Sequence, residues 1–192
     1  DVSLPMPQMF TLALTAKHLT WIDHHISAIN DYNNYPPERT GGESITAVLE
    51  KSIAACGGGW KYLFPDEQMP TAVKLLGEYD TWRNKDKDRW DNAIMPFQYG
   101  MRMFCQSAET FPQDLFDWYD IITDNPVYKV IHDGKLILGY QKTQNERACK
   151  SSFEIEFEGL RAIVLNNGGA NSQVFESVYD ESKHDVMIPF VF

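Results

Sequence analysis

The chain has 192 residues, of which 43% are hydrophobic and 13% aromatic, values that suit a globular protein with a substantial core. Its formal net charge of −10 argues against extended double-stranded nucleic acid as a partner, because an acidic surface repels phosphates. The sequence predicts neither a membrane span nor a secretion signal. Three widely spaced cysteines (Cys56, Cys105 and Cys149) favour reduced thiols in a cytoplasmic protein.

The N-terminal residues predict a helix and a strand, followed by a loop. Residues 1–3 are interpreted as the end of a strand, and residues 9–17 carry apolar side chains at helical spacing. The β-prone run 19–22 predicts a buried strand. Residues 30–42 contain two prolines and two glycines, which predict a loop.

Further along, apolar periodicity predicts a helix over residues 45–56. The triple glycine 57–59 is interpreted as the end of that helix. The alternative, a phosphate-binding loop, is less favoured because no strand precedes it and no Lys-Ser/Thr pair follows. A proline starts a predicted helix over residues 70–76, which runs into Asp80. The charged residues 83–90 predict a solvated loop.

The second half predicts an apolar segment over residues 92–105, two helices, and then strands. The helices are predicted over residues 111–122 and 127–149, and strands over 153–157, 160–166 and 184–192, with a turn at 167–169 and a short helix at 172–179. We place a domain boundary near residues 108–125. The predicted fold class is α/β, with a parallel-sheet domain followed by a smaller, partial α/β domain.

Acidic and imidazole side chains stand where apolar runs end: Asp1, the triplet Asp23-His24-His25, and Asp80. At the carboxyl ends of parallel strands such residues lie along one edge of the sheet. Carboxylate oxygens and imidazole nitrogens that converge from separate segments are suited to divalent cations. The order of these residues therefore predicts a metal site.

The chain resembles the DHH phosphoesterase superfamily, which includes single-strand exonucleases, oligoribonuclease and phosphoadenosine-phosphate phosphatases. Residues 1–3 resemble its second motif, 21–25 its third, and 77–82 its fourth, while 41–49 resemble the helix start that follows the third motif. The resemblance implies a DHH domain over residues 1–112, a linker over 113–125, and a partial DHH-associated domain over 126–192.

The resemblance also implies roles for individual residues. Asp1 would bridge two metal ions, and His24 and Asp80 would ligate one of them. His25 would face the substrate phosphate. Asp23 would orient the imidazoles, as metal-bound histidines usually require. The implied cofactor is Mn²⁺ or Mg²⁺, two ions in the intact site.

Two motifs of the superfamily have no match here. The first, a histidine with two aspartates, would precede Asp1, and we expect an upstream segment to carry it. The other unmatched motif, a Gly-Gly-His segment that binds substrate, would begin about where the chain ends. Residues 167–169 are a poor match, because Ala170 stands in place of the histidine.

The resemblance implies a metal-dependent phosphohydrolase that acts on short nucleotide phosphodiesters or terminal nucleotide phosphates. The alternatives are a polyphosphate or pyrophosphate hydrolase and a non-catalytic nucleotide-binding module. The expected partner is a small phosphorylated substrate, with a short single-stranded oligonucleotide left open. We expect no duplex nucleic acid and no membrane, and a homodimer is left open.

Other prominent residues are interpreted as structural. His18 and His132 are assigned to surface or core positions, and His184 to the surface before the last strand. The aromatic residues Trp82, Trp90, Phe97 and Tyr99 are assigned to the core, although stacking of one base in the cleft stays open.

Overall fold

The computed structural model describes residues 3–35, 45–104, 127–170 and 172–192, and shows a mixed α/β protein. The helices are α1 (Met6–Thr15), α2 (Ile26–Asn34), α3 (Ala55–Leu63), α4 (Thr71–Asp80), α5 (Met95–Phe104) and α6 (Val127–Ala148). The strands are β1 (Leu19–Asp23), β2 (Ile45–Leu49), β3 (Phe153–Phe157), β4 (Leu160–Asn166) and β5 (Val186–Phe190). A helical turn (Lys87–Arg89) and a π-helical turn (Trp90–Ile94) precede α5, and 3-10 turns cover Cys149–Ser151 and Ser172–Ser177.

The chain divides into two compact units, Asp1–Gly134 and Lys135–Phe192. In the first unit β1 and β2 form a parallel pair, with Leu19 opposite Ile45 and Asp23 opposite Leu49. In the second unit β4 lies between β3, which is antiparallel to it, and β5, which is parallel. Within the described ranges these are separate sheets. The assignment of the units to a DHH domain and a DHH-associated domain stays a prediction.

Each unit has its own hydrophobic core. In the first unit α1 turns Met6, Met9 and Phe10 inward against Trp21 of β1, because residues three and four apart share one face of a helix. A second cluster joins α4, α5 and the start of α6, and is formed by Ala72, Leu75, Trp90, Ile94, Phe97, Met101, Val127 and Val130. The core of the second unit consists of Cys149, Ile163, Leu165, Val174 and Phe175.

The structure confirms several predicted elements. The strand at 19–22 extends to Asp23, the long helix covers Val127–Ala148, and the strands Phe153–Phe157 and Leu160–Asn166 have the predicted bounds. The predicted helix at 111–122 lies outside the described residues. No helix in the described part of the chain is both long and apolar enough to span a bilayer.

The predicted helix over 45–56 was wrong. Ile45–Leu49 form a strand, because β-branched residues in this segment pair with β1 along its whole length, and that pairing outweighs the helical periodicity. The triple glycine consequently lies inside α3 and does not end a helix. A Cβ on Gly58 would lie 2.9 Å from Cγ2 of Ile22, so this glycine allows α3 to approach β1 closely.

Three other predictions also need correction. Residues 30–34 belong to α2 rather than to a loop, and 36–44 lie outside the described residues. His184 is buried, at 4% exposure, rather than on the surface. Trp90, Phe97 and Tyr99 are core residues as predicted, but Trp82 is 59% exposed.

Candidate metal centre

The candidate site lies at the carboxyl end of β1. Asp23 is the last residue of this strand, and the backbone N–H of Glu50, which directly follows β2, donates to the Asp23 carbonyl at 3.1 Å. The parallel register therefore brings the ends of both strands side by side. His24 and His25 follow at once, and α2 begins at Ile26.

Asp23 is buried, and hydrogen-bond donors surround its carboxylate. Its Oδ1 accepts the backbone N–H groups of His24 at 2.6 Å and His25 at 2.9 Å, and lies 2.8 Å from Nδ1 of His25. Its Oδ2 accepts the hydroxyl of Ser3, which itself accepts Nε1–H of Trp21 at 3.2 Å. A carboxylate offers about four lone-pair sites, two on each oxygen, and here three contacts fall on Oδ1 and one on Oδ2. Through the Oδ1 contacts Asp23 orients the ring of His25.

These contacts set the protonation state of Asp23. Burial on its own would raise the pKa of the carboxyl group. Hydrogen bonds from the His25 backbone, the Ser3 hydroxyl, the His25 ring and the His24 backbone outweigh burial, and they hold the pKa well below its usual range. Asp23 is thus ionised at neutral pH, so its acceptor-only oxygens fix the ring of His25.

His24 meets Asp80 across the site. Nε2 of His24 lies 3.3 Å from Oδ2 of Asp80, with side-chain exposures of 11% and 52%. The rings of His24 and His25 stack at 4.5 Å between centroids, and ligand atoms of Asp23, His24 and His25 lie within 4.8 Å of one another. Adjacent ligands of an octahedral ion with bonds of 2.0–2.1 Å are roughly 3 Å apart. The His24–Asp80 distance therefore fits a shared divalent cation.

Asp80 reaches this position from a helix, which corrects the expectation that it ends a run at a sheet edge. It is the last residue of α4, and the chain then turns so that the N–H of Arg83 donates to the Glu78 carbonyl at 2.9 Å. The Arg83 guanidinium donates to the carbonyl of Ser52 at 2.5 Å. This bond ties the end of α4 to the loop that follows β2.

The local charge also suits a cation. Among the described residues, neither Asp23 nor Asp80 forms an ion pair with a lysine or arginine, and each faces an imidazole. The half-exposed carboxylate of Asp80 is therefore available to a divalent ion beside His24.

Two cavities adjoin Asp23. One of about 440 Å³ opens beside His25 and extends past Trp21 to Asp31. A smaller one of about 180 Å³ lies between the strand ends and α3, where it is lined by Glu50, Lys61 and Tyr62. Both give small ligands access to the strand end.

The structure brings together four of the five predicted site residues: Asp23, His24, His25 and Asp80. Asp1 lies outside the described residues, so its ligand role stays a prediction. The sequence analysis missed the hydrogen bonds of Ser3 and Trp21, because a contact between residues 20 positions apart leaves no local pattern.

Comparison with known proteins adds no family assignment to this geometry. No protein-family model matches the chain, and neither a curated protein nor a solved structure matches it.

Proposed function

We propose that the chain is a divalent-metal-dependent phosphohydrolase of the DHH type, with an α/β DHH domain and a partial DHH-associated domain. The observation that carries the proposal is the 3.3 Å approach of His24 Nε2 to Asp80 Oδ2, beside a buried carboxylate that orients the neighbouring imidazole. Two residues 56 positions apart in sequence thereby present the two ligand types that the resemblance assigns to one metal ion.

Within this proposal the residues have distinct tasks. His24 and Asp80 would hold one ion, and Asp1 would bridge it to a second. Mn²⁺ fits this mixed oxygen and nitrogen donor set, with Mg²⁺ as the alternative. Bound metal supplies charge stabilisation and lowers the pKa of a water molecule. Asp23 fixes the tautomer and direction of His25, whose side chain is 59% exposed and accessible to a substrate phosphate.

The proposed substrates are short nucleotide phosphodiesters or terminal nucleotide phosphates. The net charge of −10 disfavours a duplex, whereas a small phosphate fits the cavities that are lined by Asp23, one of which also reaches His25.

The test compares His24→Ala and Asp80→Ala with the parent protein. With Mn²⁺ present, both variants should lose at least about 100-fold in turnover of a dinucleotide, because removing even a group that supports a ligand costs 10- to 100-fold. Calorimetric Mn²⁺ titrations should show weaker binding. His132→Ala and Asp66→Ala, at exposed positions, are the matched controls and should behave like the parent.

The substrate panel adds polyphosphate and pyrophosphate. Turnover of these alone would favour the polyphosphate or pyrophosphate hydrolase, and nucleotide binding without any turnover would favour the non-catalytic module. A His24→Ala protein as active as its parent would overturn the metal mechanism.

A further inference from the structure

Trp82 has an unusual backbone and an unusual exposure. Its φ is +54°, in the left-handed region that bulky side chains avoid and glycine favours. Although it is a large aromatic residue, its exposed fraction is 59%. A residue with a strained backbone and an exposed ring contributes little to the stability of the fold. Such positions cluster at ligand sites, where the surrounding structure maintains the strain.

Other aromatic rings hold the indole of Trp82 in place. It meets Trp90 edge-on at 5.0 Å and 62°, and Tyr79 at 6.2 Å and 60°. Tyr79 and Trp90 stack on each other at 5.8 Å, and Trp90 is buried in the core. The exposed ring is therefore preorganised, which lowers the entropic cost of using it as a binding surface.

The position of Trp82 relates this ring to the candidate metal centre. It stands two residues after Asp80, and since consecutive Cα atoms are 3.8 Å apart, the two Cα atoms lie within about 7.6 Å of each other. The bond from Arg83 to Ser52 anchors the same turn to the loop after β2. Trp82 therefore stands close in the chain to Asp80, which would hold the ligand together with His24.

The surroundings favour a flat ring as the occupant. The residues that follow Trp82 are Arg-Asn-Lys-Asp-Lys-Asp-Arg, so its next seven neighbours along the chain add no apolar side chain to the exposed ring. A protein segment or a lipid chain needs a broader apolar patch, whereas a nucleobase stacks on a single ring irrespective of its hydrogen-bonding edge.

We propose that Trp82 stacks on the nucleobase of the substrate. This inference rests on the proposed function and narrows its substrate class to compounds that carry a base on the phosphate, as opposed to polyphosphate or pyrophosphate. Trp82 is then a specificity residue: it contacts the base, while His24 and Asp80 hold the reacting end.

The test measures binding of adenosine 5′-monophosphate and ribose 5-phosphate, which differ by the base alone, to the full chain by calorimetry with Mn²⁺. The parent should prefer the nucleotide. Trp82→Gly removes the ring and relieves the positive φ, so the fold is retained, and its affinity for the nucleotide should fall by about 5- to 100-fold. Trp82→Phe should keep most of the preference. The matched control is Tyr128→Ala, which removes another exposed aromatic side chain and should leave the preference intact.

The outcomes separate this inference from the proposed function. Base-dependent binding that Trp82→Gly abolishes supports stacking, even if no substrate is turned over and the phosphohydrolase proposal fails. Turnover with equal affinity for the two ligands overturns stacking and leaves the phosphohydrolase standing. An equal loss for both ligands in Trp82→Gly, or no binding of either by the parent, also overturns the stacking role.

Discussion

Both units contain a parallel pair of strands, but the residues that end those strands differ in chemistry. Each contains a parallel pair, β1–β2 in the first and β4–β5 in the second. In the first, Asp23 ends the strand and its charge meets backbone N–H groups and an imidazole. In the second, β4 ends in Asn166 and a glycine-containing turn. A parallel pair therefore does not by itself place ionisable ligand groups at the strand end; the identity of the residues that end the strand does.

Several ionisable residues of the second unit are paired with each other. Arg161, near the start of β4, donates from Nε to Asp185 Oδ2 at 3.0 Å and from an amino group to Asp185 Oδ1 at 2.7 Å. Buried His184 is occupied on both nitrogens, by the N–H of Asp180 at 3.0 Å and by Glu154 at 3.2 Å. The carboxylate of Asp185, held by a guanidinium, has less acceptor capacity left for a cation than the carboxylate of Asp80.

Helix α6 begins in the first unit and ends in the second, and its two glycines differ in how closely they are packed. A Cβ on Gly134 would overlap the carbonyl oxygen of Pro96, whereas a Cβ on Gly139 would meet nothing within 4 Å. Gly134→Ala should lower the free energy of unfolding by about 3 kcal/mol, the upper end of the usual cost of overpacking. Gly139→Ala, the matched control, should raise it by up to about 1 kcal/mol through helix propensity. Urea unfolding measures both, and similar effects at the two positions would contradict the packing of α6 on α5.

Within the first unit, Asp23→Ala should mainly lower stability, whereas Asp80→Ala should mainly lower activity. Asp23→Ala leaves the N–H groups of His24 and His25 without their acceptor, so we expect a loss of about 1.5–3 kcal/mol in unfolding free energy. Asp80 is about half exposed, and Asp80→Ala should change stability by no more than about 0.5 kcal/mol while it abolishes turnover. A chemical denaturation series with a Mn²⁺ assay tests the pair. Equal stability losses would mean that Asp23 is not the organising carboxylate.

The smallest expected effect concerns pH and the second unit. Hydrogen bonds from Arg161 lower the pKa of Asp185 from 3.8 to about 2. Because the folded pKa is depressed, this group contributes stability that is fully present above about pH 4 and is lost as the pH falls through about 2. Asp185→Asn should therefore flatten the acid limb of the stability curve in this window. Since the pair is exposed, solvent screening keeps the change small. Glu181→Gln, an exposed acid nearby, is the control, and an acid limb as steep in Asp185→Asn as in the parent would contradict the assignment.

Local sequence patterns were sufficient for β1, β3, β4 and the long helix α6. The alternation in Phe153–Phe157, the β-prone run that ends at Asp23, and the apolar spacing in Val127–Ala148 each predicted the observed element. These signals are local, because a side chain's face follows from the period of the backbone. The same local pattern made Asp23, His24 and His25 candidate site residues, and the structure places their ligand atoms within 4.8 Å of one another.

Tertiary structure decided the rest. Ile45–Leu49 have a helical apolar pattern but form a strand, because pairing with β1 satisfies their backbone and buries part of their β-branched side chains. Gly58 lies within a helix because α3 packs closely on Ile22. Trp82 stays exposed while Trp90 is buried, although the two tryptophans flank the same charged run. His24 and Asp80 meet because a helix end folds over a strand end, and a distance between residues 56 positions apart depends on packing that no local pattern encodes.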